Sequence, residues 1–222
     1  MDIHISRFGV LTATTLALAG LTLASRPAEA VAFTNGSFET GPEPGPFILL
    51  PTGSTAIPGW TVLGHSIDYT GSIWEVSDGV RSVDLSGQGA GGVEQTFDTI
   101  LGASYQVLFD LAGNPGGDPR EKLLRVGATG NTAQEYRFDT SGKSFTDMGW
   151  QTVAYNFTAI GPSTTLLFTS LINTPYGPAL DNVRVSTDAI TPVPTPALLP
   201  GLVGLGVAAW RRRQGEAQAA GE

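Results

Sequence analysis

Four aromatic side chains, Tyr69, Trp74, Trp150 and Tyr176, stand in predicted loops or at predicted strand ends, where they could face a ligand. Sugar recognition combines aromatic faces with planar polar groups, because a sugar ring has apolar C–H faces ringed by hydroxyls. The polar candidates are Asp78, Arg81, Asp84, Asp110, Asn114 and Arg120. The ligand-binding set predicted from both groups is Tyr69, Trp74, Arg81, Asp110, Asn114 and Tyr176.

Aromatic side chains also dominate protein cores, so each candidate has a structural alternative. Trp60 follows Pro58-Gly59 and precedes an apolar residue pair, and we expect it in the core. Trp150 opens an alternating segment and is expected in the core or at its rim. Trp74 is the more open case, because it lies between turn-forming residues on both sides.

The sequence offers little for covalent catalysis. It has no cysteine and only two histidines, His4 and His65, and no nucleophile-elbow pattern accompanies either. Thiol catalysis and thiolate metal sites are therefore excluded. A glycosidase that uses two carboxylates stays open as an alternative, because acidic residues are plentiful. We predict that the protein is not an enzyme.

Acidic residues dominate the central part of the chain. Residues 31–190 contain 16 Asp and Glu against 7 Lys and Arg, which gives a net charge of −9. A domain with this balance and no basic run is a poor binder of nucleic acid. About 160 residues suffice for one domain with a sizeable core.

The N-terminus has the three parts of a secretory signal peptide. Arg7 supplies positive charge, residues 10–24 form an apolar stretch, and Ala28 and Ala30 form a small-residue cleavage site. The apolar stretch is shorter than the ~20 residues that span a bilayer. We therefore predict a signal peptide over residues 1–30, removed after Ala30, and export of the rest.

The C-terminus carries a second three-part pattern. Residues 198–210 form an apolar run between a Pro-rich segment and a basic cluster. The flanking residues are Pro194, Thr195, Pro196 and Ala197 on one side and Arg211, Arg212 and Arg213 on the other. The pattern resembles a PEP-CTERM protein-sorting tail in its PTPA variant. That resemblance implies a bacterium that makes exopolysaccharide, transient membrane anchoring, and removal of the tail by an exosortase-like membrane protease.

A plain tail anchor remains the alternative for residues 191–222, since nine residues follow the Arg cluster.

The central region, residues 31–190, has no convincing 3.6-residue apolar periodicity. Short alternating runs separated by Gly, Pro, Asn and Asp predict an all-β, two-sheet jelly-roll sandwich. A signal helix and a short C-terminal apolar helix are expected to flank it. Strands are predicted at 83–85, 92–97, 105–111, 123–127, 135–138, 151–157, 165–171 and 182–185.

Residues 87–92 formally match the dinucleotide-binding pattern G-x-G-x-x-G. That site needs a helix after the glycines, whereas strand-like alternation follows here. We interpret the segment as a hairpin loop.

Five phrases, taken in order, resemble the choice-of-anchor C domain, a member of the galactose-binding-like jelly rolls. They are Asn35-Gly36-Ser37-Phe38-Glu39, Ile57-Pro58-Gly59-Trp60, the Trp74 to Gly87 segment, Phe109-Asp110-Leu111-Ala112-Gly113-Asn114-Pro115 and Gly177-Pro178-Ala179-Leu180-Asp181-Asn182-Val183. The resemblance implies a β-sandwich whose first and last strands lie near each other. It also implies a structural calcium shared by Glu39 and Asp181.

The residues give modest support for calcium. Asp181 has the parity of Val183 and Val185, which predicts that it points toward the core, and a buried carboxylate is costly unless it is paired or bound to metal. Calcium takes carboxylate and carbonyl oxygens. In the alternative, Asp181 caps backbone amides near the turn and Glu39 is exposed.

These observations predict an exported, non-catalytic module that binds a cell-wall polysaccharide or exopolysaccharide at the cell surface or in the extracellular matrix. The alternative is a structural or adhesive surface protein whose partner is another protein. Fold resemblance alone does not decide between them.

Overall fold

The computed structural model describes residues 32–187, and all regular elements in this range are β-strands. The all-β class predicted from the alternating runs is confirmed for these residues. The predicted signal peptide, sorting tail and flanking helices lie outside them. The strands are β1 (Phe47–Pro51), β2 (Thr61–Gly64), β3 (Ser66–Thr70), β4 (Ser82–Asp84), β5 (Gly91–Asp98), β6 (Ser104–Gly113), β7 (Glu121–Ala128), β8 (Gln134–Asp139), β9 (Gln151–Thr158), β10 (Ser163–Ser170) and β11 (Pro178–Thr187).

The strands form two antiparallel sheets that pack as a jelly-roll β-sandwich. The six-stranded sheet has the order β1-β3-β4-β11-β6-β9, and the five-stranded sheet has the order β2-β5-β10-β7-β8. The glycine-rich segment 87–90 joins β4 of one sheet to β5 of the other. It is therefore a crossover connection, and its interpretation as a hairpin loop was wrong. Within residues 32–187, no helix is long and apolar enough to cross a membrane.

Aromatic side chains fill the space between the sheets. Phe168 of β10 makes edge-to-face contacts with Phe109 of β6 and with Trp60, at ring-centroid distances of 5.2 and 6.2 Å. Contacts of this kind add about 0.5–1.5 kcal/mol to the burial of the rings. Trp60 is buried and its indole N–H donates to the Asn35 carbonyl at 2.8 Å. Trp60 is thus a core residue, as predicted.

The first three strands were not among those predicted from the sequence. β1 is a short apolar run that ends at Pro51, and it lacks the alternation that marks a half-buried strand. It lies at the edge of its sheet, paired only with β3, and proline is tolerated in edge strands. Its position at the edge of the sheet, which cannot be inferred from the sequence, makes Pro51 compatible with a strand here.

The N-terminal segment packs directly on the last strand. The Val183 N–H of β11 donates to the Gly36 carbonyl at 2.8 Å. A Cβ atom at position 36 would lie 1.9 Å from the Val183 carbonyl oxygen, so only glycine fits this close approach. The family resemblance implied that the first and last strands lie near each other. In the structure the N-terminal segment next to β11 is not a strand, and the first strand, β1, is separated from β11 by β3 and β4 in the sheet.

Candidate functional site

Four aspartates lie on the outer face of the six-stranded sheet, which is turned away from the five-stranded sheet. Asp68 of β3 is directly opposite Asp84 of β4, and Asp110 of β6 is directly opposite Asp181 of β11. The residues next to them in β3, β4 and β6, and Leu180 before Asp181 in β11, point into the core, because side chains alternate between the two faces of a sheet. The outer face is therefore strongly acidic.

Two loop segments, residues 74–81 and 143–150, lie over this face. The Trp74 indole N–H donates to the Ser82 hydroxyl at 2.8 Å, and the Ser77 N–H donates to Asp181 at 3.0 Å. The two loops are joined by a hydrogen bond from the Glu75 N–H to the Phe145 carbonyl. The acidic residues are consequently covered, and depressions remain where the loops leave gaps.

One of these depressions, the sheet-face pocket, has a volume of about 370 Å³ and combines apolar walls with an acidic floor. That size is in the range typical of small-molecule sites. Its lining residues are Phe47, Leu49, Asp68, Thr70, Ile73, Trp74, Asp84, Gly87, Gln88, Asn114, Phe145, Pro175 and Tyr176.

Asp84 is the buried carboxylate of the floor. Its Oδ1 accepts the Ser86 N–H at 2.9 Å and the Gly177 N–H at 3.1 Å, and its Oδ2 accepts the Asn114 amide at 2.8 Å. Burial raises the pKa of Asp84 to about 7, although these donors favour the charged form. Asp84 therefore holds the loops that close the far end of the pocket.

Asp68 is the carboxylate of the floor that still has bonding capacity. Its Oδ1 is shielded from solvent and has no hydrogen-bond partner, and it is the single buried side-chain N or O atom of this kind within residues 32–187. Burial raises the pKa of Asp68 to about 6. A buried acceptor without a donor costs about 1–3 kcal/mol. The other oxygen of Asp68 also accepts no hydrogen bond within residues 32–187, and because the half-buried side chain lines the pocket, this carboxylate is open to a ligand that donates an O–H or N–H group.

Aromatic and aliphatic side chains form the walls. Phe47, Phe145 and Tyr176 are 46%, 42% and 37% exposed, and Leu49 is 40% exposed. Trp74 contributes part of its ring but is only 6% exposed. Exposed apolar side chains grouped around a few polar groups are the usual composition of a ligand site. This arrangement offers ring faces to C–H groups and acceptors to hydroxyls.

The structure brings three of the six predicted ligand residues together. Trp74, Asn114 and Tyr176 all line the sheet-face pocket, although they are up to about 100 positions apart in the chain. The Asn114 Oδ1 also accepts the Gly116 N–H at 2.8 Å, so its amide is held from both sides. Whether these residues contact a ligand stays a prediction.

Tyr69 lies on the wrong face of β3 for a ligand. It is fully buried, and its hydroxyl donates to the Phe38 carbonyl and accepts a hydrogen bond from Arg81 Nη1 at 3.0 Å. Its neighbour Asp68 takes the outward position because side chains alternate along the strand. The predicted ligand residue Tyr69 is therefore a core residue, and the side chain that β3 presents to the outer face at this point is Asp68.

The guanidinium group of Arg81 is held by hydrogen bonds to the N-terminal segment, residues 39–43. Its Nη1 also donates to the Glu39 and Gly41 carbonyls, each at 3.0 Å, and its Nη2 pairs with Glu43 at 2.9 Å. The Arg81 side chain borders a second depression, which shares Trp74 with the sheet-face pocket. It thus ties the N-terminal segment to the loop over the sheet.

Asp110 lies in a third depression, beside Trp150 and Thr152, and does not line the sheet-face pocket. Its Oδ1 accepts the Thr152 hydroxyl at 2.6 Å, and its Oδ2 accepts the Ser77 hydroxyl at 2.8 Å and the Asn182 amide at 3.0 Å. Asp110 is therefore separated from the Trp74, Asn114 and Tyr176 group. The predicted set does not form one site.

Glu39 and Asp181, predicted to share calcium, both bind the loop 77–81. Asp181 Oδ2 accepts the backbone N–H groups of Ser77 and Asp78 at 3.0 Å each, and its Oδ1 accepts the N–H of Asn182. Glu39 Oε1 accepts the N–H groups of residues 80 and 81 at 2.9 Å. Three of the four carboxylate oxygens of this pair thus accept backbone N–H groups, which a shared calcium ion would have to displace, so these contacts argue against the predicted site.

The described residues contain no group of three or more His, Cys, Asp or Glu side chains that could hold a metal ion.

A β-bulge explains why the alternation of residues in β11 predicted the wrong face for the Asp181 side chain. The pairing of β11 with β6 shifts between Asp181 and Arg184, where Asn182 has a φ of 51°. An extra residue in a bulge turns the following side chains to the other face. Asp181 therefore does not share the face of Val183.

The pocket residues that sequence reasoning did not single out include Asp68, Phe145 and Phe47. The alternation Ile67-Asp68-Tyr69 could have identified Asp68, because it sets one polar side chain opposite two apolar ones. Phe145 had no such signal. It lies in an irregular loop, and only the fold brings that loop over the sheet.

These features define a jelly-roll β-sandwich domain with a ligand-sized pocket on one sheet face. Residues 31–186 match the family described as "Protein of unknown function (DUF642)", and the chain belongs to this family.

A curated relative is halomucin of Haloquadratum walsbyi, which is 32% identical over 173 residues. The match covers 72% of this chain, and the chain spans about 2% of the length of halomucin.

Solved structures with similarity include a family 35 carbohydrate-binding module from Clostridium thermocellum, with 14% identity and a TM-score of 0.44. That match covers 62% of this chain and 97% of the module. A second is TmCBM61 in complex with beta-1,4-galactotriose, with 13% identity, a TM-score of 0.45, and coverage of 71% and 99%. The pairing of the eleven strands in two sheets itself defines the fold of this chain.

Proposed function

We propose that this protein is an exported, surface-associated and non-catalytic module that binds carbohydrate in the sheet-face pocket. The observation that carries the proposal is the half-buried Asp68 carboxylate, which accepts no hydrogen bond within residues 32–187 and lies at the floor of a pocket walled by aromatic rings. A sugar unit would donate a hydroxyl to the more exposed oxygen of this carboxylate and stack its C–H face on a ring. One class of ligand would then satisfy both the acceptor at the pocket floor and the aromatic walls.

The neighbouring groups suit binding better than catalysis. The two oxygens of Asp84 are engaged by three donors, so this carboxylate is a poor candidate for an acid or base that must exchange protons with a substrate. Gln88 and Asn114 add planar amides to the same lining. Such groups provide orientation and specificity for hydroxyl-rich ligands.

The two chain ends complete the proposal. The signal peptide would direct export, and the sorting tail would hold the protein at the membrane until an exosortase-like protease removes the tail. The module would then bind cell-wall polysaccharide or exopolysaccharide at the bacterial surface.

The test is binding of the purified full-length protein to a panel of immobilised plant and bacterial polysaccharides. Saturable binding that soluble oligosaccharide of the same type competes away is the expected result. Absence of binding across the panel, combined with saturable binding to a surface protein, would replace this proposal with the structural or adhesive role.

A further inference from the structure

The charged side chains that line the sheet-face pocket are all acidic. Its lining includes the carboxylates Asp68 and Asp84 but no Lys or Arg among the described residues. The buried cation Lys122 donates to the Gly117 carbonyl at 2.7 Å and does not line the pocket. Lys122 is completely buried, so its ammonium group is not offered to a ligand.

The two carboxylates are close neighbours on the sheet. Asp68 and Asp84 are directly opposite each other across β3 and β4, a relationship that puts their Cβ atoms about 4.5–5.5 Å apart. Burial raises the pKa of Asp84 to about 7, and this carboxylate also interacts with the buried Lys122 ammonium group, so Asp84 adds little net charge to the pocket at pH 7. The pKa of Asp68 is raised less, to about 6, so Asp68 carries the negative charge of the floor, and its carboxylate accepts no hydrogen bond within residues 32–187. The floor therefore favours a ligand that brings positive charge.

The walls favour the same kind of ligand. Tyr176 and Phe145 expose a good part of their rings at the pocket, and Trp74 lies beside them. The negative face of an aromatic ring attracts a cation within about 6 Å of its centroid. An ammonium group on a sugar could thus meet a carboxylate below it and rings beside it.

We propose that the sheet-face pocket selects sugars by charge, binding units that carry a protonated amino group in preference to neutral units and rejecting uronate units. The inference rests on the proposed carbohydrate-binding function and names the ligand class of the same pocket. A uronate carboxylate would lie near Asp68 with no cation in the lining to compensate it. An N-acetylated unit would keep the hydroxyl contacts but would lose the positive charge.

The test is calorimetric titration of the full-length protein at pH 7 in low salt with EDTA present. Three ligands of equal length are compared, namely a glucosamine oligomer, its N-acetylated counterpart and a galacturonate oligomer. Charge-assisted hydrogen bonds are roughly twice as strong as neutral ones, so we expect about tenfold tighter binding of the glucosamine oligomer than of the N-acetylated one. The galacturonate oligomer should show no binding.

Two variants separate this charge effect from folding. Asp68→Asn keeps the shape of the side chain and should abolish the preference for the amino sugar while neutral binding persists. Asp147→Asn removes an equal charge from a side chain that is 69% exposed and does not line this pocket, and it should keep the preference. The melting temperature of each variant is measured alongside.

Equal affinity for the amino and N-acetylated oligomers would overturn the inference and leave the proposed function standing. Binding of galacturonate that appears only when calcium replaces EDTA would overturn it as well, since a metal would then supply the positive charge. Failure of all three oligomers, together with a negative polysaccharide panel, would overturn both proposals.

Discussion

Asp68 and Asp84 are cross-strand partners on β3 and β4 that differ completely in how their carboxylates are satisfied. Asp84 is 1% exposed and accepts three hydrogen bonds, whereas the half-buried Asp68 carboxylate accepts none within residues 32–187. The Asp84 carboxylate holds the surrounding loops, and the Asp68 carboxylate lines the pocket with its hydrogen-bonding capacity unused. This difference between two adjacent carboxylates is what makes the pocket floor a candidate for ligand binding.

Tyr176→Ala should weaken sugar binding by up to about tenfold, because an aromatic contact contributes about 0.5–1.5 kcal/mol and 1.4 kcal/mol corresponds to a factor of ten. Tyr176 is a cleaner target than Trp74, whose ring is nearly buried and bonded to Ser82. Affinity is measured by titration with the best ligand of the panel. Leu101→Ala, a loop position that is 71% exposed and outside the pocket, serves as the control and should bind normally.

Stability should fall as the pH rises from about 4 toward 7. Burial raises the pKa of Asp84 and of Asp181 to about 7, while an unfolded aspartate titrates near 3.9. The folded state thus holds protons that the unfolded state has lost, so this stability is complete below about pH 4 and disappears as the pH passes the folded value. The free energy of unfolding is measured by denaturant titration between pH 4.5 and 7.5.

Asp84→Asn removes one of these titrations and should make the pH dependence shallower, whatever its constant effect on stability. Asp139→Asn is the matched control. The Ser141 N–H lowers the pKa of Asp139, so its contribution changes only below the measured range and the slope should stay as in the wild type. A slope that is unchanged by Asp84→Asn would contradict the burial argument.

Asp181→Ala should destabilise the fold by about 2–4 kcal/mol, since it leaves several backbone N–H groups of the covered loop without an acceptor. The donors that lose their partner belong to Ser77, Asp78 and Asn182. Asp147→Ala changes an exposed carboxylate and should stay within about 0.5 kcal/mol of wild type. An Asp181→Ala protein as stable as the wild type would show that the loop does not depend on this carboxylate.

Calcium and EDTA should leave the melting temperature of the full-length protein unchanged. Glu39 Oε1 and Asp181 Oδ2 each accept two backbone N–H groups of the loop 77–81, and Asp181 Oδ1 accepts the Asn182 N–H, so a shared cation would have to displace donors. Differential scanning calorimetry in excess calcium and in excess chelator checks this expectation. A rise in melting temperature that depends on calcium concentration would restore the structural calcium implied by the family resemblance.

Gly36→Ala should cost about 1–3 kcal/mol or more, because its methyl group would overlap the Val183 carbonyl and force the N-terminal segment away from β11. The comparison is Gly161→Ala, whose new methyl would have its nearest neighbour at 3.7 Å. That substitution should lie within about 0.5 kcal/mol of wild type. Thermal and denaturant unfolding of both variants provide the measurement, and equal stability of the two would refute the close approach.

The sequence alone determined the class of the fold and part of the site. Alternation at residues 105–111 and 151–157 predicted strands that pair as β6 and β9, because a half-buried strand imposes a period of two. The same reasoning placed Trp60 in the core, and it selected Trp74, Asn114 and Tyr176 before their convergence was visible. The net charge of −9 over residues 31–190 anticipated an acidic surface.

Only the tertiary structure shows which side chains of each strand line the sheet-face pocket. Loops cover the outer face of the six-stranded sheet, so β3 is buried or half-buried on both sides and burial does not distinguish Tyr69 from Asp68. The bulge after Asp181 changed the parity on which the calcium prediction depended. Strand order sets the pairing of Asp68 with Asp84, and the path of the loop places Phe145 in the same pocket. Strand order and loop path are fixed by contacts between distant parts of the chain, and local periodicity carries no information about such contacts.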